Sequence, residues 1–262
     1  MVSANGGALV NDLRVHKYGS GPTEIHCVHG FGGSGQDFSL LQHPKLHLKC
    51  VDLPGHGDSP LWANPDVHSL VDWMAEWLPA DAILLGYSLG GRLALQAALR
   101  AQLSLRGLIL VGASPGIRDQ NERVARKLWD VSKARALHEK QGEFWSEWEQ
   151  MPLLQSQAQI QRDHLEQMRV RRRATPVAGP ALLMERFGSG SMPSVWDCLG
   201  ELSIPTLLLV GELDPKYRAV AQEMSTLLPS SSVIEVPDAG HCAHLERPQR
   251  ALQALIDWID LL

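Results

Sequence analysis

Short apolar runs alternate with longer segments of helical periodicity through most of the chain, and this alternation limits the possible folds more than any other feature. The runs are continuous, and Gly, Pro or Asp bounds each of them, as is typical of strands covered on both faces. Strands that alternate with helices predict a mostly parallel α/β sheet with right-handed crossovers. The predicted strands are residues 23–29, 48–53, 82–87, 107–112, 206–211 and 232–237.

A seventh strand, around residues 8–18 and antiparallel, is expected before these six. Helical patterns lie between the strands, at residues 67–78, 89–101, 217–228 and 248–262.

The alternation breaks between residues 114 and 198, which hold four of the eight tryptophans and almost no β-branched run. Arg, Glu, Gln and Leu recur there at helical spacing, which predicts a helical insertion. We therefore expect residues 1–113 and 199–262 to form an α/β core and residues 114–198 to form a helical cap over the strand ends.

The composition is that of a globular domain. Hydrophobic residues make up 44% and charged residues 20% of the chain, which excludes a disordered or fibrous protein. The formal net charge of −5 argues against nucleic-acid binding, which needs a strongly basic surface. No apolar run approaches the roughly 20 residues that cross a bilayer.

Residues 1–8 lack the basic and apolar stretches of a secretory signal. The four cysteines form no C-x-x-C pair. We therefore expect reduced thiols in a cytoplasmic protein without a metal site.

A G-x-S-x-G motif, Gly86-Tyr87-Ser88-Leu89-Gly90, follows one predicted strand and precedes a predicted helix. In this context the turn is sharp, and it raises the serine above the sheet at a helix N-terminus. The motif predicts that Ser88 is the reactive residue of an enzyme.

A reactive serine needs a base, and the base needs a group that orients it. Asp214 and His241 follow the last two predicted strands, in the chain order Ser, Asp, His. Taken singly, Asp214 would be a helix N-cap and His241 a surface loop residue, but together they favour a catalytic triad. Glu212 and Asp238 are the alternative acids, and His244 is the alternative base.

The glycine-rich loop His29-Gly30-Phe31-Gly32-Gly33 follows the first parallel strand. Such a loop can direct backbone N–H groups at a developing oxyanion, and the N–H groups of Phe31 and Leu89 are the candidate donors. The alternative is a glycine-rich turn without a ligand. Residues 52–59 are interpreted as a tight structural turn without chemistry.

With these motifs the chain resembles the α/β-hydrolase superfamily over essentially its whole length. It resembles more narrowly the family of 2-succinyl-6-hydroxy-2,4-cyclohexadiene-1-carboxylate synthases. The narrower resemblance rests on G-Y-S-L-G-G-R at 86–92, S-P-G-I at 114–117, the Arg-rich run at 122–126, Trp148, Arg169 and K-Y-R at 216–218. It implies an eight-stranded sheet with an inserted cap and a lyase of menaquinone or phylloquinone biosynthesis. That lyase eliminates pyruvate without a cofactor or metal.

The resemblance also implies a small substrate with three carboxylates, and arginine forks bind carboxylates in a bidentate manner. Arg92, one helical turn beyond Ser88, is expected to point towards the pocket. Arg126 and Arg169 of the cap are further candidates, with solvated surface arginines as the alternative. Tyr87 and Trp148 are expected to line the pocket, although Trp148 would serve equally well in the cap core. The run at 171–173 is interpreted as a solvated face.

In the expected reaction, Asp214 orients His241, which polarises Ser88, and Ser88 removes a proton from the substrate ring. The N–H groups of Phe31 and Leu89 hold the resulting enolate oxygen. A carboxylesterase or carbon–carbon bond hydrolase with a covalent serine is the first alternative, and a ligand receptor without turnover is the second. No nucleic-acid or membrane partner is expected, and the sequence sets no oligomeric state.

Overall fold

The computed structural model describes residues 13–100 and 103–262. Within them, seven strands form one sheet in the order β1-β3-β2-β4-β5-β6-β7. β1 pairs with β3 antiparallel, and the other neighbours are parallel. The strands are β1 Val15–Tyr18, β2 Thr23–Val28, β3 Leu46–Val51, β4 Ile83–Tyr87, β5 Gly107–Val111, β6 Thr206–Gly211 and β7 Ser231–Val236.

The six predicted parallel strands are confirmed, with ends that shift by at most two residues. The expected antiparallel first strand is present as β1, whereas residues 8–12 of that prediction, and residues 1–8 examined for a secretory signal, lie outside the described residues. The sheet has seven strands in the described part of the chain, not the eight that the resemblance implies. There β1 is the terminal strand, because only β3 pairs with it.

Helices cover both faces of the sheet, so that alternate residues of each central strand enter different apolar clusters. In β4, Leu84 belongs to one cluster, while Ile83 and Leu85 belong to the other. The four predicted core helices correspond to α1, α2, α7 and α9. The helices are α1 Val67–Trp77, α2 Leu89–Arg100, α3 Gln120–Glu139, α4 Gln141–Glu149, α5 Arg162–Ala174, α6 Ala178–Phe187, α7 Pro215–Leu227, α8 Ala243–Glu246 and α9 Pro248–Ile259.

Between β5 and β6 the chain forms α3 to α6 and two short 3₁₀ turns, at Gln155–Gln159 and Trp196–Glu201. The structure describes every residue from 114 to 198 and assigns no strand among them. Asp119 caps the start of α3 by accepting from the backbone N–H of Glu122. These helices have a small core of their own, built from Ala134, Leu137, Phe144, Trp145, Ala181 and Met184. We call residues 114–198 the inserted segment.

None of the four cysteines, all of which lie in the described ranges, forms a disulfide. No helix in those ranges combines the length and the apolar character needed to span a bilayer.

Candidate active site

Ser88 occupies a strained turn between β4 and α2. Its φ of +50° lies in the left-handed region that non-glycine residues rarely adopt. The flanking glycines permit this turn: a Cβ at Gly86 would lie 2.5 Å from the Gly90 carbonyl oxygen, and one at Gly90 would lie 2.2 Å from that of Val28. The G-x-S-x-G spacing is therefore a steric requirement of the turn.

Ser88, His241 and Asp214 form one hydrogen-bonded row. The Nε2 atom of His241 lies 3.1 Å from Oγ of Ser88, and its Nδ1 atom lies 2.9 Å from Oδ2 of Asp214. The side chains of His241 and Asp214 are both buried. This is the nucleophile–base–orienter geometry of serine enzymes.

The Asp214 carboxylate also caps α7, because its Oδ1 atom accepts from the Tyr217 N–H at 3.1 Å. The two interpretations of Asp214 are therefore compatible: one oxygen begins the helix and the other faces His241. The alternative acids lie elsewhere. Glu212 is exposed and accepts from the Asp238 N–H, and the exposed Asp238 side chain pairs with Arg250.

The alternative base, His244, is buried among aromatic rings. Its ring centroid lies 5.5 Å from that of Phe38 and 4.6 Å from that of Tyr87. Burial lowers the pKa of His244 to about 3, so its imidazole is neutral near pH 7. His241, and not His244, contacts Ser88. His244 instead forms part of the cavity wall.

A cavity of about 470 Å³ opens beside Ser88 and His241, within the size range of small-molecule sites. Its wall includes both proposed oxyanion donors, Phe31 and Leu89, and also Tyr87 and Trp148. Leu89 is the first residue of α2, so its N–H belongs to the first turn, whose N–H groups have no partner within the helix.

Hydrogen bonds join the loop that carries Phe31 to the turn at residues 52–59. The N–H of Leu53 donates to Nε2 of His29 at 2.9 Å, and burial lowers the pKa of His29. Asp52 is fully buried and accepts from the Ser34 hydroxyl and the Gly35 N–H, each at 2.7 Å. This turn has the structural role expected for it.

A group of metal-ligand type, His16, Asp52 and Asp58, lies outside the cavity wall. Protein N–H and O–H donors already occupy both carboxylate oxygens of Asp52. These contacts argue against an ion at that group.

Arg92 lines the cavity from the first turn of α2. Its side chain is buried; its Nη2 atom donates to the Phe187 carbonyl at 3.0 Å, and its Nε atom has no partner among the described residues. Burial lowers the pKa of Arg92, which reflects the cost of a charge with few compensating contacts. A guanidinium in this condition is suited to a ligand carboxylate.

Arg126 lines the same cavity from α3. Its Nε atom donates to the buried Asp130 at 2.7 Å, four residues further along the helix. The guanidinium also lies over the Trp129 ring, 4.8 Å from the centroid. Asp130 and Trp129 thus orient Arg126 at the cavity wall.

The structure does not place Arg169 in this cavity. Its Nε and Nη2 atoms both donate to one carboxylate oxygen of Glu149, at 2.9 and 2.8 Å. Arg172 lines the cavity instead, with its Nε donating to the Gly32 carbonyl at 3.1 Å. Arg172 lies four residues after Met168, another wall residue, and so shares its face of α5. Its Nη1 atom also donates to Glu149, at 3.2 Å.

The run at 171–173 is therefore not a solvated face throughout. Arg172 is 5% exposed, and Arg171 pairs with Asp37 at 2.5 Å. The spacing from Met168 identifies Arg172 only once Met168 is known to face the cavity, which the packed structure shows.

Two further wall residues, Lys216 and Trp129, were not predicted as site residues. With Lys216, the wall carries four cationic side chains: Arg92, Arg126, Arg172 and Lys216. Two of these cations already form ion pairs, Arg126 with Asp130 and Arg172 with Glu149, and the second wall aspartate, Asp37, pairs with Arg171. Arg92 and Lys216 form no ion pair among the described residues, so the cavity keeps unpaired positive charge beside a serine–histidine pair.

Known proteins share the sequence pattern and the fold of this chain. The alpha/beta hydrolase family matches residues 27–254. The 2-succinyl-6-hydroxy-2,4-cyclohexadiene-1-carboxylate synthase of Salmonella newport (strain SL254) is 31% identical over 90% of this chain and 93% of its own length. A Bacillus subtilis (strain 168) protein, provisionally given the same name, is 34% identical over 86% of each chain.

Two solved structures have a similar fold over nearly the whole chain. MenH from S. aureus superimposes with a TM-score of 0.88 at 27% identity, covering 94% of this chain and 97% of its own. A thermophilic esterase from Thermogutta terrifontis, solved with malate bound, gives a TM-score of 0.75 at 26% identity over 95% and 93% of the two chains. The chain therefore belongs to the alpha/beta hydrolase family, as a relative of the 2-succinyl-6-hydroxy-2,4-cyclohexadiene-1-carboxylate synthases, and is an enzyme of that fold.

Proposed function

We propose that this enzyme eliminates pyruvate from 2-succinyl-5-enolpyruvyl-6-hydroxy-3-cyclohexene-1-carboxylate to give 2-succinyl-6-hydroxy-2,4-cyclohexadiene-1-carboxylate. The reaction belongs to menaquinone or phylloquinone biosynthesis. One observation carries the proposal: the cavity beside Ser88 and His241 has four cationic side chains in its wall. The names of the Salmonella and Bacillus relatives support it.

The charge of the wall suits a substrate with three carboxylates. Arg92 and Arg126 are expected to bind two of them through guanidinium forks. Arg172 takes the role that was predicted for Arg169, and Lys216 adds a fourth cation. Tyr87 and Trp148 supply apolar wall for the ring.

In the proposed mechanism Ser88 acts as a base. His241, held by Asp214, accepts the hydroxyl proton of Ser88, and Ser88 removes the ring proton next to the succinyl ketone. The electrons move through the ring double bond, and the carbon–oxygen bond to the enolpyruvyl group breaks. The enol of pyruvate leaves, and the enolate oxygen is held by the N–H groups of Phe31 and Leu89.

In this proposal residues 114–198 act as a cap on a core of residues 1–113 and 199–262. The cavity wall supports that division, since Trp129 and Trp148 come from the inserted segment and Ser88 and His241 from the core.

A carboxylesterase is the second candidate, because the chain also superimposes on the T. terrifontis esterase. Both candidates need Ser88 and His241, but only the esterase forms a covalent bond to Ser88. Pyruvate release from the enolpyruvyl-cyclohexene, measured beside a panel of neutral esters, separates them. Efficient ester turnover without pyruvate release would overturn the proposed lyase.

A further inference from the structure

The carboxylate of Glu246 accepts hydrogen bonds from the residues immediately before and after His241. The side chain is 3% exposed. Its Oε2 atom accepts from the Gly240 N–H at 2.6 Å, and its Oε1 atom accepts from the Cys242 N–H at 3.1 Å. These two amides directly flank His241 in the sequence. One buried carboxylate therefore fixes the peptide groups before and after the histidine.

The same carboxylate reaches the inserted segment. The Ser156 hydroxyl donates to Oε1 of Glu246 at 2.9 Å, and the next residue, Gln157, donates to Sγ of Cys242 at 3.0 Å. A Cβ added at Gly240 would lie 2.1 Å from Oγ of Ser156. The histidine loop and the turn at Gln155–Gln159 are therefore in close contact, with Glu246 between them.

The chemistry of the site is sensitive to this loop. His241 must keep one ring nitrogen at Ser88 and the other at Asp214, whereas Asp214 holds the ring from one side only. The backbone around His241 is irregular, and Asp238 has a φ of +57°. A displacement of about 1 Å in a catalytic group can reduce the rate by roughly a hundredfold.

We propose that Glu246 is a positioning residue for His241, and that it holds the histidine loop against Ser156 of the inserted segment. This inference rests on the proposed function, in which His241 accepts the hydroxyl proton of Ser88. Glu246 is absent from the cavity wall as the described residues form it, so it acts on the reaction through His241.

The variant Glu246→Gln tests the proposal, because a glutamine has the same shape but only one acceptor oxygen. Its NH₂ group must then face one of the two N–H donors. We expect kcat for pyruvate release to fall by about ten- to a hundredfold, with KM unchanged. The rate at which diisopropyl fluorophosphate modifies Ser88 should fall in parallel. The low-field proton resonance of the His241–Asp214 hydrogen bond should shift or broaden.

Asp66→Ala is the matched control, since it removes the N-cap of α1 outside the cavity wall. It lowers stability without touching the histidine loop, so kcat and the proton resonance should be unchanged. An unchanged kcat and resonance in Glu246→Gln would overturn the proposal. An equal loss in Asp66→Ala at a similar Tm would also overturn it.

Should Glu246→Gln fail to fold, Ser156→Ala replaces it. This change removes one of the three donors to Glu246, and kcat should fall by about fivefold with KM constant, which corresponds to about 1 kcal/mol. Unchanged kcat and resonance in Ser156→Ala would then overturn the proposal. If the wild-type enzyme releases no pyruvate, the proposed function fails, and the fluorophosphate rate and the resonance still decide the role of Glu246.

Discussion

Replacing Arg92 by methionine should change stability and activity in opposite directions. The Arg92 side chain is buried, its Nη2 atom bonds the Phe187 carbonyl and its Nε atom has no partner in the described structure. Replacing buried paired charges by apolar side chains of similar volume is often neutral or stabilising, by up to about 4 kcal/mol, and we apply this range to Arg92. The lost bond to Phe187 offsets about 1 kcal/mol of that gain. We expect a net gain near 1 kcal/mol, which corresponds to a Tm higher by about 2–4 °C.

The same substitution should weaken turnover of the anionic substrate. A carboxylate that loses a charged hydrogen-bonding partner in a closed site loses about 1.5–3 kcal/mol, or roughly ten- to a hundredfold in kcat/KM. Turnover of p-nitrophenyl acetate should be unchanged, because this ester offers no carboxylate to Arg92. Arg92→Lys should restore only part of the loss, since an ammonium cannot form the bidentate fork.

The assay is kcat/KM on both substrates for the wild type, Arg92→Met and Arg92→Lys, with Tm from calorimetry. A lower Tm together with equal losses on both substrates would refute the reasoning, because it would make Arg92 a structural residue. An undiminished kcat/KM on the anionic substrate would refute the carboxylate-binding role.

Ser88→Ala should abolish pyruvate elimination. In the wild type, mass spectrometry during turnover should find no substrate-derived adduct on Ser88, and an adduct would favour the covalent hydrolase. Arg172→Ala should lower kcat/KM for the anionic substrate by about ten- to a hundredfold. Arg169 lies outside the cavity wall, so Arg169→Ala should leave kcat/KM nearly unchanged. Equal effects of the two substitutions would contradict the assignment of Arg172 to the substrate site. The pKa of His244 is lowered to about 3, so the unfolded chain binds a proton below pH 6.5 that the folded chain does not. This group therefore decreases stability by up to about 1.4 kcal/mol per pH unit as the pH falls from 6.5 towards 3. Urea unfolding at pH 7, 6 and 5 should show a shallower decline for His244→Phe, and identical declines would contradict a neutral buried imidazole.

The sheet and the Ser88–His241–Asp214 row were predictable because their signals are local. Each buried strand is a short apolar run, and the geometry of Ser88 follows from glycines two residues away on either side. Asp214 and His241 follow strands that lie side by side, so that chain order alone brings them to one edge of the sheet.

The inserted segment was predictable only in outline. The register of α5 depends on which face packs against the cavity, and five of its thirteen residues are arginines. Both Arg169 and Arg172 bond to Glu149, but only Arg172 reaches the cavity wall. Composition does not distinguish the two residues, because this difference arises from tertiary contacts. Glu246 carries no motif, and its bonds to the histidine loop emerge only from the packed structure.

The double use of Asp214 has a consequence for how this enzyme can vary. One carboxylate oxygen caps the first turn of α7 and the other bonds to His241. A substitution at Asp214 therefore changes both the catalytic histidine and the start of the helix. Loss of an N-cap typically costs about 1 kcal/mol, and Asp214→Ala therefore confounds folding with catalysis. Asparagine caps helices as well as aspartate does, so Asp214→Asn retains the helix and loses the charge. Among single substitutions at this position, it is the one that isolates what the carboxylate contributes to the base.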